Sequence, residues 1–223
     1  MTKVVTVKRR ALAANEERAE RLRARFAASG TLVANLISSP GSGKTSLLEA
    51  TVRALDDELT TAVIEGDVAT ENDADRIRAL GVPAHQILTG GACHLDARLV
   101  ETGIEEGGLP EVDILFIENV GNLICPTTYD LGEDFKVVLL SVAEGDDKPV
   151  KYPAIFARAE VAVVTKSDLL PHVPFDLDSV KSQIASLNPN GTVLVTSSLQ
   201  GDGMDEWFDL LRARLQAKRQ SLG

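Results

Sequence analysis

Cysteine is almost missing from this 223-residue chain: only Cys93 and Cys125 occur. Two cysteines in a chain this long build no disulfide framework, which fits a reducing compartment. Aromatic residues make up 4%, with a single Trp, so a core must rest on Val, Leu, Ile and Ala. Nothing approaches the roughly 18 consecutive apolar residues of a membrane span. No apolar run of secretory length follows Lys8-Arg9-Arg10, and Glu16, Glu17 and Glu20 are wrong for a mitochondrial presequence. Positive charge is in deficit too. A formal net charge of −10 and a pI of about 4.8 argue against a broad electrostatic footprint for nucleic acid. The imbalance is uneven, because residues 1–25 hold eight Lys/Arg against three Glu, leaving −15 on the rest. These absences predict a cytoplasmic protein with no nucleic-acid partner and no membrane partner.

What is present is ordinary globular material, 44% hydrophobic and 25% charged. The length suits one large α/β domain, whose core needs no disulfide. Residues 1–30 read as a short extended start and then a charged helix. Asn15 is its candidate cap, with Glu16 and Glu17 in the first turn and Gly30 at the end. Ala19, Leu22 and Phe26 fall on one stripe, so this helix is either a solvated edge element or a docking arm for a partner. From residue 31, apolar runs alternate with helical segments. Strands are expected at Leu32–Ile37, Thr61–Glu65, Ile87–Leu88, Asp113–Ile117, Val137–Val142, Val161–Val164 and Thr192–Val195. Helices are expected at Thr45–Leu55, around Asn72–Leu80, near Leu95–Glu105 and at Met204–Ala217. That alternation implies right-handed βαβ crossovers and a mostly parallel sheet flanked by helices on both faces.

Directly after the first strand comes Ser38-Ser39-Pro40-Gly41-Ser42-Gly43-Lys44-Thr45-Ser46. In the pattern G-x-x-x-x-G-K-[ST], glycines turn backbone N–H groups onto phosphate oxygens. The lysine reaches the β- and γ-phosphates and the hydroxyl ligates Mg²⁺. The following helix points its positive N-terminus at the same anion. Gly41, Ser42, Gly43, Lys44, Thr45 and Ser46 are therefore the expected phosphate-binding residues, although Ser38 stands where the pattern has its first glycine. The expected fold class is α/β, a single P-loop NTPase domain. Residues 1–30 form its N-terminal extension, a partner-docking candidate, and residues 31–223 the G domain.

Thr165-Lys166-Ser167-Asp168 follows an apolar strand and resembles the guanine-selecting [NT]-K-x-D element of GTPases. A carboxylate at Asp168 accepts from guanine N1–H and N2–H₂ together, whereas adenine offers no such donors and would leave it unpaired. Lys166 can lay its stem across the base. Ser197 and Ser198, after the last strand, resemble the loop that gives a backbone N–H to guanine O6. Two carboxylates end strands on the ligand side of a parallel sheet: Asp67 in Glu65-Gly66-Asp67, and Glu118 in Glu118-Asn119-Val120-Gly121. Both are expected, with Thr45, at the Mg²⁺ ion, and with Lys44 as catalytic residues. Gly121 is expected beside the γ-phosphate. Asn122 follows it in place of a glutamine, so intrinsic hydrolysis should be slow, on the order of 10⁻⁴–10⁻² s⁻¹ by analogy with unassisted GTPases.

Cys93-His94 follows the flexible Gly90-Gly91, and Cys125 lies four residues beyond Gly121. Thiolate and imidazole suit Zn²⁺ or Ni²⁺. Three ligands leave a tetrahedral ion short, but two chains can pool theirs across a two-fold axis. Spacing alone leaves the alternative open that both cysteines are small buried hydrophobes and His94 a chance neighbour.

Taken in order, S-S-P-G-S-G-K-T, E-G-D, T-G-G-A-C-H-L, I-E-N-V-G-N-L-I-C-P and T-K-S-D closely resemble the hydrogenase-maturation nickel-insertion GTPases, the HypB family, over roughly residues 30–215. The related urease-activating GTPases carry a Cys-Pro-His motif, whereas here Cys125-Pro126 is followed by Thr127. The resemblance implies that Cys93, His94 and Cys125 bind Ni²⁺ or Zn²⁺. It also implies a homodimer favoured by GTP and metal, with GTP hydrolysis to GDP coupled to nickel delivery into [NiFe]-hydrogenase. The implied partners are a small metal-binding maturation protein and the hydrogenase large subunit. Residues 1–30 contain no Cys or His, so a nickel store of the kind some relatives carry is not expected. The competing readings are a GTP-dependent binding switch with structural zinc only, and a P-loop small-molecule kinase. The kinase lacks a lid-like insertion bearing phosphate-clamping arginines.

Overall fold

The computed structural model describes residues 2–67 and 72–222, with side chains from Arg10 onward. Met1 and Gly223, the outer limits of the expected segments, lie outside the described residues. In chain order the elements are α1 (Thr2–Ser29), β1 (Leu32–Ser38), α2 (Lys44–Leu55), β2 (Thr61–Asp67), α3 (Asn72–Arg78), β3 (Ala84–Leu88), α4 (Ala97–Glu106) and β4 (Ile114–Glu118). They continue with β5 (Phe135–Ser141), α5 (Lys148–Lys151), α6 (Pro153–Phe156), β6 (Val161–Thr165), α7 (Leu177–Leu187), β7 (Thr192–Val195) and α8 (Met204–Ser221). Every expected strand is present, within a few residues of its expected ends. Helix α7, unassigned from the sequence, makes the crossover between β6 and β7.

All seven strands are parallel, in the order β3-β2-β4-β1-β5-β6-β7. Inward residues alternate between two faces, as a strand period of two requires. Leu32, Ala34 and Leu36 of β1 pack with α2, α3 and α8, whereas Val33 joins the cluster of α1 and α4, and Ile37 that of α6 and α7. The single tryptophan, Trp207 on α8, is fully buried and donates its indole N–H to Thr51 Oγ1 of α2 at 2.9 Å. With both faces covered, only the strand ends are open to solvent. The chain runs from β1 outward to β2 and β3, returns to insert β4 between β2 and β1, then crosses to β5. Such a reversal leaves a crevice at the C-terminal strand ends, where ligands gather in open α/β sheets.

The N-terminal segment departs from expectation. The extended start is helical, and Asn15 lies inside one continuous α1 rather than at its cap. Asn15 is 7% exposed; its Nδ2 donates to Asp130 O at 2.8 Å and its Oδ1 accepts from Ala97 N at 2.8 Å. A local capping rule mistook a tertiary connector for a helix start. Ala19, Leu22 and Phe26 are buried in the core of the α1–α4 face, so the stripe packs on the sheet.

Asn15→Ala separates the two roles by sign. Within a helix Ala is the better former by up to about 0.7 kcal/mol, so a purely local Asn15 would leave the variant more stable. Losing both buried partners instead predicts a destabilisation of about 1–3 kcal/mol, read by urea unfolding.

Candidate functional site

A cavity of about 430 Å³ opens at the C-terminal ends of β1, β2 and β4. Its wall includes Gly41, Gly43, Lys44, Thr45 and Ser46 from the Gly-rich loop. Gly41 (φ 77°) and Gly43 (φ 93°) take the left-handed backbone that lets this loop curl, and Gly43 is the N-cap of α2. Ser42 is fully buried; its hydroxyl bonds Ser39 O at 2.8 Å and also Glu144. Lys44 Nζ donates to Ser38 Oγ at 2.9 Å and lies 3.6 Å from Glu118 Oε1. The serine at the first glycine position thus holds the lysine head.

The carboxylates come together through strand register. Glu118 sits opposite Leu36 of β1 on one side and opposite Glu65 of β2 on the other. Neighbouring register partners on parallel strands point the same way, so Glu65 and Glu118 share one pocket, 2% and 5% exposed. Thr45 Oγ1 donates to Glu118 Oε1 at 3.2 Å. The two carboxyls interact with each other, and beyond that contact neither Glu65 Oε1 nor Glu118 Oε2 has a hydrogen-bond partner. Burial, and then the Glu118 carboxylate, push the Glu65 carboxyl well above its usual range. Burial also raises Glu118, while Lys44 pulls it back. Asp67 lines the same cavity, two residues beyond Glu65. Residues that the sequence reading missed are Glu65, Asp73, Arg76 and Asn119 of the cavity wall. Glu65 was visible within Glu65-Gly66-Asp67, but only register reveals its neighbour. Arg76 forms paired bonds to Glu49 at 3.0 and 2.9 Å.

On the other flank, Thr165 Oγ1 donates to Ser42 O at 2.6 Å and Lys166 Nζ to Gly41 O at 2.7 Å. Lys166 is the only non-glycine with positive φ (59°) among the described residues. That strained backbone, with its ammonium tied to the loop, fixes where Asp168 emerges. Asp168 Oδ1 accepts from the buried Ser197 hydroxyl at 2.6 Å. Ser197 N is occupied by Asp202 O at 2.9 Å, and Ser198 Oγ lies 4.0 Å from Met204 Sδ. Gly121 stands against the loop as well: a Cβ there would lie 2.9–3.1 Å from Pro40 atoms.

Cys93, His94 and Cys125 converge. Their ligand atoms all lie within 4.8 Å of one another, the one such group among the described residues. Cys93 Sγ and His94 Nδ1 are 3.6 Å apart, and the His94 ring lies 3.9 Å centroid to centroid from that of Tyr129. Cys93 is exposed; Cys125 is half-buried. The Cys125 thiol, and then burial, push the Cys93 thiol up, and burial pushes His94 down. His94 is thereby kept neutral, the form that ligates a metal. Soft sulfur and imidazole donors suit a late transition metal, with room for at least one further ligand.

Sheet order, phosphate loop and buried lysine define a P-loop nucleoside-triphosphatase domain carrying a Cys/His cluster beside its cavity. Comparison with known proteins agrees. The family model for the CobW/HypB/UreG nucleotide-binding domain matches residues 32–195. The chain is 50% identical over 200 residues to the hydrogenase maturation factor HypB of Escherichia coli K12, covering 90% of this chain and 69% of that one. The crystal structure of HypB from Archaeoglobus fulgidus superposes with a TM-score of 0.86 at 39% identity, covering 92% and 100% of the two chains. HypB from Helicobacter pylori in complex with nickel also gives 0.86, at 40% identity and 94% and 97% coverage. The chain belongs to the HypB hydrogenase maturation factors of the CobW/HypB/UreG family.

The raised Glu65 carboxyl generates a stability prediction. Its folded pKa stands above the unfolded value near 4.5, so its ionisation penalises the fold as pH climbs past that value. Glu65→Gln should raise the unfolding midpoint of the ligand-free protein at pH 7 by about 2–4 °C, the shift that ~1 kcal/mol gives at this size. The gain should vanish toward pH 4, where the group is protonated in both states. Thermal unfolding at the two pH values checks it.

Proposed function

We propose that this chain is a cytoplasmic, GTP-hydrolysing metallochaperone that couples its nucleotide state to nickel delivery during [NiFe]-hydrogenase maturation. The observation that carries the reading is the convergence of Cys93, His94 and Cys125 on loops that leave the strand ends of a phosphate-binding cavity. Membership of the HypB family and the nickel complex of the Helicobacter pylori relative support it.

In this reading the amides of Gly41 to Thr45 and the start of α2 receive the phosphates, with Ser46 at the rim. Lys44, freed from Ser38 and Glu118, moves to the β- and γ-phosphates. Thr45, Asp67 and Glu118 would hold Mg²⁺: their donors are hard oxygens, and Glu118 Oε2 is buried with no donor outside the carboxyl pair. Bound there, Mg²⁺ would supply neutralisation of charge developing on the γ-phosphate. Asp168 reads guanine N1–H and N2–H₂, oriented by Ser197, and Lys166 covers the base. Because Ser197 N is already bonded to Asp202 O, the backbone donor to guanine O6 falls to Ser198. Asn122 cannot serve as the water-positioning side chain. Its Nδ2 donates to Cys93 O at 3.1 Å and its Oδ1 accepts from Ile124 N at 2.8 Å. Slow intrinsic turnover follows.

The cluster supplies three donors per chain, so a second copy of the chain completes a site and links metal to dimerisation. Ile124, beside Cys125, is 66% exposed, which fits a surface next to the cluster that a second copy covers. A small metal-binding maturation protein and the hydrogenase large subunit are the proposed partners. Zn²⁺ competes for the same donors.

Two sets of variants test this. Cys93→Ala, His94→Ala and Cys125→Ala should each lower nickel affinity tenfold or more while GTP affinity stays within about twofold; unchanged nickel stoichiometry in all three would end the proposal. Asp168→Asn should lose its preference for GTP and gain xanthine nucleotide, because the amide donates where xanthine offers a carbonyl. Nucleotide competition binding reads that exchange.

A further inference from the structure

The residue after Glu118 has almost no exposed surface and touches both halves of the site. Asn119 is 1% exposed and lines the nucleotide cavity. Its Oδ1 accepts from Leu95 N at 3.1 Å and from Val120 N at 3.0 Å. Its Nδ2 donates to Asn35 Oδ1 of β1 at 3.3 Å, and Asn35 Nδ2 passes on to Glu133 at 3.2 Å. Leu95 immediately follows His94.

Leu95 is also held from beneath. Its side chain is fully buried and fills the space above Gly66, where a Cβ would meet Leu95 Cγ, Cδ1 and Cδ2 at 2.8–3.0 Å. Gly66 lies between Glu65 and Asp67. The residue next to the imidazole ligand is thus gripped twice, once by the neighbour of Glu118 and once by the neighbour of Asp67.

We propose that Asn119 is the positioning residue that carries the nucleotide state to the metal cluster. A buried amide N–H abandoned by its acceptor is costly, so Leu95 follows Asn119 when the 118–121 segment shifts toward or away from a third phosphate. Leu95 turns that shift into a displacement of His94, and packing on Gly66 prevents it from moving independently. Asn122, bonded to Cys93 O, ties the same segment to the other side of the ligand pair. The inference rests on the cavity being a GTP site and the cluster a metal site.

Linkage makes it measurable: the ratio of nickel dissociation constants in the GDP-bound and GTP-analogue-bound protein equals the coupling between the sites. Ni²⁺ is titrated into the full chain with Mg²⁺ and either nucleotide, and the thiolate-to-nickel absorption is followed. The wild-type ratio should depart from one by about fivefold or more, the lower end of ordinary allosteric coupling. Asn119→Ala should bring the ratio within about twofold of one while the nickel stoichiometry is retained. Asn119→Asp keeps acceptors for Leu95 N and Val120 N and should hold the ratio above about threefold, which a purely structural role would not distinguish. If Asn119→Ala does not fold, Gly66→Ala probes the same path, since its Cβ displaces Leu95, and it too should collapse the ratio. A wild-type ratio in Asn119→Ala, or in Gly66→Ala where that variant stands in, overturns the inference. A wild-type protein that binds both ligands with a ratio of one also overturns it, leaving both sites in place. Failure of the wild type to bind nickel or guanine nucleotide overturns the underlying reading instead.

Discussion

Glu118 sits between Leu36 of β1 and Glu65 of β2 in one parallel register, with Lys44 and Thr45 reaching it from the start of α2. Most of the site depends on that arrangement. It places two buried carboxyl groups and one buried ammonium at the floor of the cavity, where the lysine offsets part of the cost of the carboxylate beside it. Burial first, and then the neighbouring Glu118 carboxylate, hold the Glu65 carboxyl well above its ordinary range. A divalent cation with its phosphates is the kind of ligand that settles such a pocket. Hydrophobic residues there would make a more stable fold and a cavity with no grip on either.

The same strand ends govern the Cys/His cluster. Cys93 and His94 follow the edge strand β3, while Cys125 follows β4, so the cluster assembles across a single intervening strand, β2. Three asparagines then fix the loop of Cys93 and His94 through its backbone: Asn122 at Cys93 O, Asn119 at Leu95 N and Asn15 at Ala97 N. An asparagine both donates and accepts, so each can hold the loop on one side and a structural element on the other. The cluster is consequently aligned by β4 and by α1, and the N-terminal helix belongs to the architecture of the site.

Much was legible from short-range pattern. The Gly-rich loop is legible because a phosphate cradle demands particular atoms at fixed offsets along the chain, and the Thr-Lys-x-Asp element and the strand-ending carboxylates stand out as short runs directly after apolar strands. The strands were readable because both faces of the sheet are covered and their residues are apolar almost without break. Asn15 misled because a capping residue and a buried connector look identical over four positions. Helix α7 escaped because its buried residues, Val180 and Ile184, are too few to impose a clear period. Nothing local reveals what Glu65, Asn35 and Asn119 face, since the partners that matter lie 53, 84 and 24 residues away in the sequence.

By itself, then, the chain's sequence determined what is local: a parallel α/β domain, the phosphate loop, the Thr-Lys-x-Asp run beside it, and a candidate donor set of two cysteines and a histidine. Backbone conformation and ligand chemistry act over a few consecutive residues, so these survive in one dimension. Only the tertiary structure decided that Glu65 faces Glu118, that Cys125 reaches Cys93 and His94, and that buried amides connect the two sites. Those facts depend on strand order and register, which are settled by how all the apolar faces pack together and by no segment alone.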